Sequence, residues 1–261
     1  RAETRRRVYM AYRDRAYPQN EAVLRTLLDR RYELAQLLGF ENYADFVTAD
    51  KMTGNSARAQ QFLDDLAAAA RPSAQRDYNR QLARLQRMEP GASSIPQWST
   101  SFVQQAIQRE EYAVDAQEVR RYFAYNNVRD GIFQLTQDLF GVEIRPWVGA
   151  PTWHESVEAF ELWDDGQLIG RFYLDNLPRE GKFNHAAHFQ IRMGSPDGSA
   201  VPVSVLVCNF PAGDHTTGLM EHTQVETFLH EFGHLLHAMF AGRQQWAHQN
   251  YGEVEQDFIE A

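Results

Sequence analysis

Residues 225–239, VETFLHEFGHLLHAM, combine a helical apolar period with three histidines. The apolar positions of this stretch are Val225, Phe228, Leu229, Phe232, Leu235, Leu236 and Met239. Their spacing of three or four residues predicts an amphipathic helix with one buried face. We expect this helix to begin near His222 and to end at Gly242, because glycine commonly follows the last turn of a helix.

The centre of this helix reads His-Glu-Phe-Gly-His, an H-E-x-x-H pattern. Residues four apart lie on one face of a helix, so His230 and His234 can both reach one zinc ion at about 2.0–2.1 Å. Glu231 lies about 100° around the helix from His230 and need not bind the metal. It can instead accept the proton of a metal-bound water, which predicts a catalytic role as general base.

An alternative interpretation of this pattern is a surface helix that carries scattered histidines and glutamates. Chance predicts on the order of 0.02 such matches at the composition of this chain. The motif also stands among apolar residues, and buried imidazoles without a metal would need other polar partners. The sequence therefore favours a site for one Zn²⁺ ion.

A catalytic zinc site needs a third protein ligand, and the spacing does not identify it. His237 lies on the same face, but it is about 10 Å along the helix axis from His230, too far for one ion. The acidic candidates downstream are Glu253, Glu255, Asp257 and Glu260. If their segment is helical, Asp257 and Glu260 share a face, and one could bind zinc while the other orients a histidine.

Weaker candidates surround the motif. Glu226 precedes His230 by four residues and could bond its free ring nitrogen, or could be a solvated charge. His188 and His185 lie on a predicted strand, and for either side chain alone we favour a structural role. Cys208 is the single cysteine, so no internal disulfide can form, and we expect it to be a small buried residue.

The predicted secondary structure changes from helices to strands at Gly141. Residues 1–142 show helical periods one after another, including 20–38, 56–87, 102–112, 116–125 and 128–140, with Pro72 expected to kink or break the second. Four strands are predicted afterwards, at 157–163, 168–174, 186–193 and 201–210, the first two joined by an Asp-Gly turn. We therefore expect a mainly α fold with a helical region at 1–142, followed at 143–261 by a small sheet and the zinc helix.

Composition excludes several classes of protein. The 261 residues carry a net charge of −9 and are 43% hydrophobic, which is ordinary for a globular domain and unfavourable for binding nucleic acid or anionic membranes. No apolar run reaches the roughly 18 residues of a membrane helix. The chain begins without Met and ends without a cap, and we expect a piece of a longer protein, truncated at its C-terminus.

The motif with His237 after it resembles the thimet oligopeptidase, oligopeptidase A and peptidyl-dipeptidase Dcp family of zinc metallopeptidases. Residues 257–261, DFIEA, are similar to that family's second signature, and by this match Glu260 is the third zinc ligand. Other matching stretches are LAQLLGFENY at 34–43, FYLD at 172–175, Gly181-Lys182 and CNF at 208–210. Leu229 stands where the family commonly has Phe, and the family's downstream Gly- and Tyr-rich loop has no counterpart here.

The resemblance implies a two-lobed, mostly helical, zincin-like peptidase that admits short peptides into a channel. It also implies that a strand edge near His188 pairs with the substrate backbone. We expect a monomer in the cytoplasm, although some relatives are periplasmic or organellar. Endopeptidase and dipeptidyl-carboxypeptidase activity are both compatible with these residues.

Two other functions remain open at this stage. A gluzincin aminopeptidase shares H-E-x-x-H and a distant Glu, but its usual upstream anchor for a free amine is not recognisable here. A zinc-binding helical scaffold without turnover would not need Glu231, although a chain without the downstream residues could behave as one.

Overall fold

A computed structural model describes residues 1–211, 217–242 and 254–260. The chain is about half helical, with a small sheet of five strands. The helices are α1 (Ala2–Arg13), α2 (Glu21–Leu37), α3 (Tyr43–Thr48), α4 (Ser56–Met88), α5 (Thr100–Tyr112), α6 (Ala116–Arg120), α7 (Tyr125–Phe140), α8 (His222–Ala241) and α9 (Gln256–Ile259). The strands are β1 (Glu143–Pro146), β2 (Glu158–Asp164), β3 (Gln167–Asp175), β4 (Ala187–Arg192) and β5 (Val203–Val207).

The chain divides into two compact units, and the first comprises Arg1–Val114 with Glu255–Ala261. Its small core is formed by Leu85, Val103 and Ile107, where α4 packs against α5. The predicted helix at 20–38 is confirmed as α2, but Ala35 is its one buried residue. Leu37, for example, is 84% exposed. The apolar period therefore forms this helix without burying its leucines among the described residues.

The predicted break at Pro72 is wrong, because α4 runs through it as one helix of 33 residues. Proline has no N–H, so the helix loses one backbone hydrogen bond at this point. The surrounding turns are exposed, and water can take the freed carbonyl of Ala68.

The second unit, Asp115–Val254, contains the sheet. The strand order is β1-β2-β3-β5-β4, with β3 and β5 parallel and the other pairs antiparallel. The predicted hairpin is confirmed: Asp165 and Gly166 both have positive φ angles, as a two-residue turn between β2 and β3 requires. The sequence did not predict β1, whose four residues include two exposed charges.

Helix α8 packs against β3, β4 and β5, and it ends at Gly242 as predicted. Phe232 meets Phe172 of β3 edge-to-face at a centroid distance of 5.8 Å. Phe228 stacks on Tyr125 of α7 at 6.0 Å. These aromatic contacts bury one face of α8 and set its rotation against the sheet.

Two further findings concern the whole chain. No helix among the described residues is both long and apolar enough to cross a membrane. The predicted division into domains at residue 142 stays a prediction, while the contacts of the structure place α6 and α7 with the sheet.

Gly170 on β3 allows the close approach of α8. A Cβ at this position would overlap the sulfur of Met239, which is fully buried on the helix. A methyl group here would force the methionine out of its site, and overpacking of this kind costs about 1–3 kcal/mol.

We expect Gly170→Ala to lower the free energy of unfolding by about 1–3 kcal/mol, as measured by urea denaturation. Met239→Ala alone should cost roughly 2–5 kcal/mol through its cavity. The double variant should cost less than the sum, because the new methyl partly fills the cavity. Strict additivity would show that the two residues do not compete for one space.

A buried ionic cluster lies at the end of β3. Asp175 is 3% exposed, and Arg179 donates to its two oxygens at 2.5 and 2.8 Å. Trp153 Nε1 donates at 3.0 Å, and Lys182 Nζ lies 3.2 Å from Asp175 Oδ1. Burial acts to raise the pKa of Asp175, but the hydrogen bonds from Arg179, Trp153 and Lys182 outweigh it and hold the pKa below 3.8.

Asp175→Asn should lower the free energy of unfolding by about 3 kcal/mol near neutral pH, because buried Lys182 and partly buried Arg179 lose their counter-charge. A lowered folded-state pKa means that this contribution is present above the unfolded pKa and lost as the pH falls through the folded one. The difference from the unaltered protein should therefore stay constant above about pH 5 and shrink as the pH falls through the unfolded pKa toward the folded one. The control is Asp138→Asn on exposed Asp138, whose difference should stay small throughout.

Candidate metal centre

His230 and His234 face one another on one side of α8. Their Nε2 atoms lie 3.1 Å apart, and their rings are perpendicular with centroids 4.6 Å apart. The i, i+4 spacing stacks the two side chains along the helix, as the sequence predicts. Two imidazole nitrogens thus converge on one small volume.

This separation suits a shared zinc ion. Zinc–nitrogen bonds of about 2.0–2.1 Å at tetrahedral angles separate neighbouring ligand atoms by about 3.3–3.4 Å. The observed 3.1 Å needs a shift of only a few tenths of an ångström. The two histidines therefore fit the geometry of half of a tetrahedral donor set.

Burial distinguishes the two imidazoles. His234 is 9% exposed, whereas His230 is exposed. The difference follows from the packing of α8, since His234 lies next to the buried Leu235 and His230 lies next to the exposed Leu229. The candidate centre is consequently anchored in the fold on one side and open on the other.

Residues at the N-terminus of α8 form a local capping hydrogen bond. The backbone N–H of Glu221 donates to Gln224 Oε1 at 2.8 Å, which satisfies a donor at the helix N-terminus. Glu226 is exposed and lies 3.6 Å from His222 Nδ1. The role of Glu226 beside His230 stays a prediction.

Glu231 projects from α8 toward the end of β5. It is partly buried, and its charge acts on the thiol of Cys208, which follows β5. Burial first, and the negative charge of Glu231 second, raise the pKa of the Cys208 thiol. Cys208 is fully buried, in agreement with its expected role as a small core residue.

His188 lies on the edge strand β4, which packs against α8. Its Nε2 is 2.9 Å from Ser204 Oγ of β5. Burial, followed by the charges that His234 and His237 can carry, lowers the pKa of His188 to about 4. His188 is therefore neutral near pH 7, and it lies among the histidines of α8 rather than apart from them.

The acidic candidates belong to the short helix α9 in the first unit. Both carboxylate oxygens of Asp257 accept the backbone N–H of Met52 at 3.1 Å, which ties α9 to the turn after α3. Glu255 immediately precedes the first residue of α9, and Glu260 immediately follows its last residue. Glu253 lies outside the described residues.

The sequence did not single out Lys182 as a structural residue near the site. Its side chain is 3% exposed, and Nζ donates to the backbone oxygens of Asp175, Leu177 and Cys208. It thereby joins the ends of β3 and β5. Its position after Gly181 carries no local signal of burial, because its partners are carbonyl groups from distant parts of the chain.

Comparisons with known proteins identify several related oligopeptidases. Oligopeptidase A of Escherichia coli is 35% identical over 90% of this chain, and thimet-like oligopeptidase of Dictyostelium discoideum is 32% identical over 99%. Saccharolysin of Saccharomyces cerevisiae is 29% identical over the whole chain. The chain spans 36%, 41% and 39% of the lengths of these three relatives.

The model of peptidase family M3 matches residues 1–261, the full length of the sequence. The match includes both the histidine helix and the helical first unit. The chain therefore belongs to peptidase family M3.

Proposed function

We propose that this chain is part of a zinc-dependent metalloendopeptidase that hydrolyses short peptides. One Zn²⁺ ion would be held by His230, His234 and Glu260, with Glu231 as general base. The observation that carries the proposal is the pair of Nε2 atoms 3.1 Å apart, with a glutamate between the two histidines in sequence. Membership of peptidase family M3 supports the reaction class.

The choice of Glu260 rests on three arguments. Two imidazoles and one carboxylate would supply the three protein ligands that a catalytic zinc ion requires, and they would leave a fourth position for water. Both carboxylate oxygens of Asp257 are already engaged by Met52, which favours a structural role for that residue. The resemblance of residues 257–261 to the family's second signature favours Glu260 in turn.

Zinc bound at this centre would lower the pKa of a water molecule and polarise the carbonyl of the peptide bond. Glu231 would accept the proton of that water and deliver it to the leaving amine. His234 would keep its orientation because α8 buries it, whereas the exposed side of His230 leaves access for substrate.

The expected partners are short peptides rather than nucleic acid or a membrane. The strand β4 is an edge of the sheet beside α8, and its free edge could pair with an extended substrate backbone. His188 on this strand and His237 on α8 would then lie beside the bound peptide. We further propose a monomer that acts in the cytoplasm.

A second candidate is a zinc-binding part that turns over no substrate by itself. It is favoured by one observation, the 36% to 41% of the relatives' lengths that this chain spans. Measuring peptide hydrolysis by this chain and by the whole protein, each with and without a chelator, separates the two candidates.

Glu231→Gln should retain one equivalent of zinc in the whole protein while kcat for a short peptide falls by roughly 100-fold to 10,000-fold. The amide is isosteric with the carboxylate but cannot accept the proton. Metal content and hydrolysis of an internally quenched peptide are the measurements.

Glu155→Gln is the control, because Glu155 is an exposed glutamate of the same unit with no assigned role at the centre. Its kcat should change by no more than a few-fold. Hydrolysis by the Glu231→Gln variant at the unaltered rate would show that Glu231 is not the base.

Glu260→Gln should weaken zinc binding by roughly 100-fold or more, since even a residue that only orients a ligand is worth 10–100-fold. Competition with a chromophoric chelator measures the dissociation constant. Asp257→Asn should leave zinc affinity within a few-fold of the original and instead loosen α9, because the Met52 contacts weaken. The reverse order of the two effects would assign the third ligand to Asp257.

A further inference from the structure

Gly233 lies inside α8, between the two candidate zinc ligands. Glycine is disfavoured within helices because it has more conformational freedom to lose on folding. Elsewhere in this unit a close neighbour explains the glycine: Met239 lies against Gly170 of β3, and Pro202 lies against Gly242 at the end of α8. At Gly233, however, a Cβ would meet no atom of the described residues within 4 Å. Packing within the described residues therefore does not require this glycine.

The position of Gly233 on α8 indicates why a glycine is present there. At 100° per residue, Gly233 lies about 60° from His230, on the side opposite His234. It belongs to the exposed strip of α8, which includes Glu226, Leu229, His230 and Gly233. This strip carries the exposed imidazole of the candidate centre, so Gly233 lies on the open side of that imidazole.

We infer that Gly233 leaves the space through which the main chain of a peptide substrate passes His230. The inference rests on the proposed function. A Cβ at residue 233 would stand about 5–6 Å from that of His230, since the two positions are three apart on one helix. A side chain there would occupy the surface next to the open coordination position, where the extended peptide must lie.

The two sides of His230 on α8 then have different roles. Glu231 lies about 100° from His230 on the other side and provides the general base, while Gly233 provides only space for the peptide. The ligand of this surface is the backbone of a short extended peptide, and the constraint is steric. Its effect should therefore grow with the size of the residue at 233.

Gly131 provides a matched control in α7. It is also an exposed glycine inside a helix of the same unit, and a Cβ there also meets nothing within 4 Å. Alanine and leucine are good helix formers, so both substitutions at both sites should keep or raise the thermal midpoint, alanine by about 2–4 °C.

The experiment uses the whole protein with Gly233→Ala, Gly233→Leu, Gly131→Ala and Gly131→Leu. We expect all four variants to keep one equivalent of zinc. The value of kcat/KM for a short internally quenched peptide should fall about tenfold in Gly233→Ala and about 100-fold in Gly233→Leu, since small misplacements of reacting atoms are costly. The two Gly131 variants should hydrolyse the peptide at the unaltered rate.

Two results would overturn the inference. One is an unchanged kcat/KM in both Gly233 variants. The other is a lower thermal midpoint or lost zinc in Gly233→Ala, which would assign the glycine to packing.

If the proposed function is wrong, the unaltered protein will cleave no peptide, which distinguishes this case from failure of the inference about Gly233. In that case the inference is tested by the binding of the same peptide in a Glu231→Gln background. Adding Gly233→Ala should weaken binding about tenfold if peptide passes this surface, and equal binding would overturn the inference.

Discussion

The packing of one face of α8 against the sheet is the contact on which the candidate centre depends. Phe228 and Phe232 bury this face among aromatic side chains of α7 and β3. Because side chains on a helix are fixed relative to one another, the same packing sets the direction of His230 and His234. The two imidazoles meet at 3.1 Å because the helix is regular, and His234 is buried by the packing while His230 stays exposed.

The sheet provides the rigid side of this contact. Gly170 permits close approach of the helix, and Lys182 joins the ends of β3 and β5 through three backbone carbonyls. Asp175 balances the charge of buried Lys182 and of partly buried Arg179. A centre built on such a support can keep its geometry while its other side stays open to a ligand.

Predictions from local pattern were accurate for most elements of the chain. The helix α2, the Asp-Gly hairpin and α8 lie close to their predicted bounds, because periodicity, turn residues and glycine stops act over a few neighbouring residues. Pro72 does not break α4, since a long exposed helix tolerates the loss of one hydrogen bond. The leucines of α2 follow a helical period but stay largely exposed, because burial requires a partner surface that the period itself does not specify.

By itself, the sequence determined the presence of the histidine helix and the chemistry of its H-E-x-x-H spacing, because both follow from the geometry of one helix. The tertiary structure alone decided that His188 lies among the histidines of α8 and that Asp257 is engaged by Met52. It also showed that a Cβ at Gly170 would overlap Met239, whereas one at Gly233 would meet no described atom within 4 Å. These features depend on residues far apart in the chain, and a local pattern carries no information about which distant groups meet.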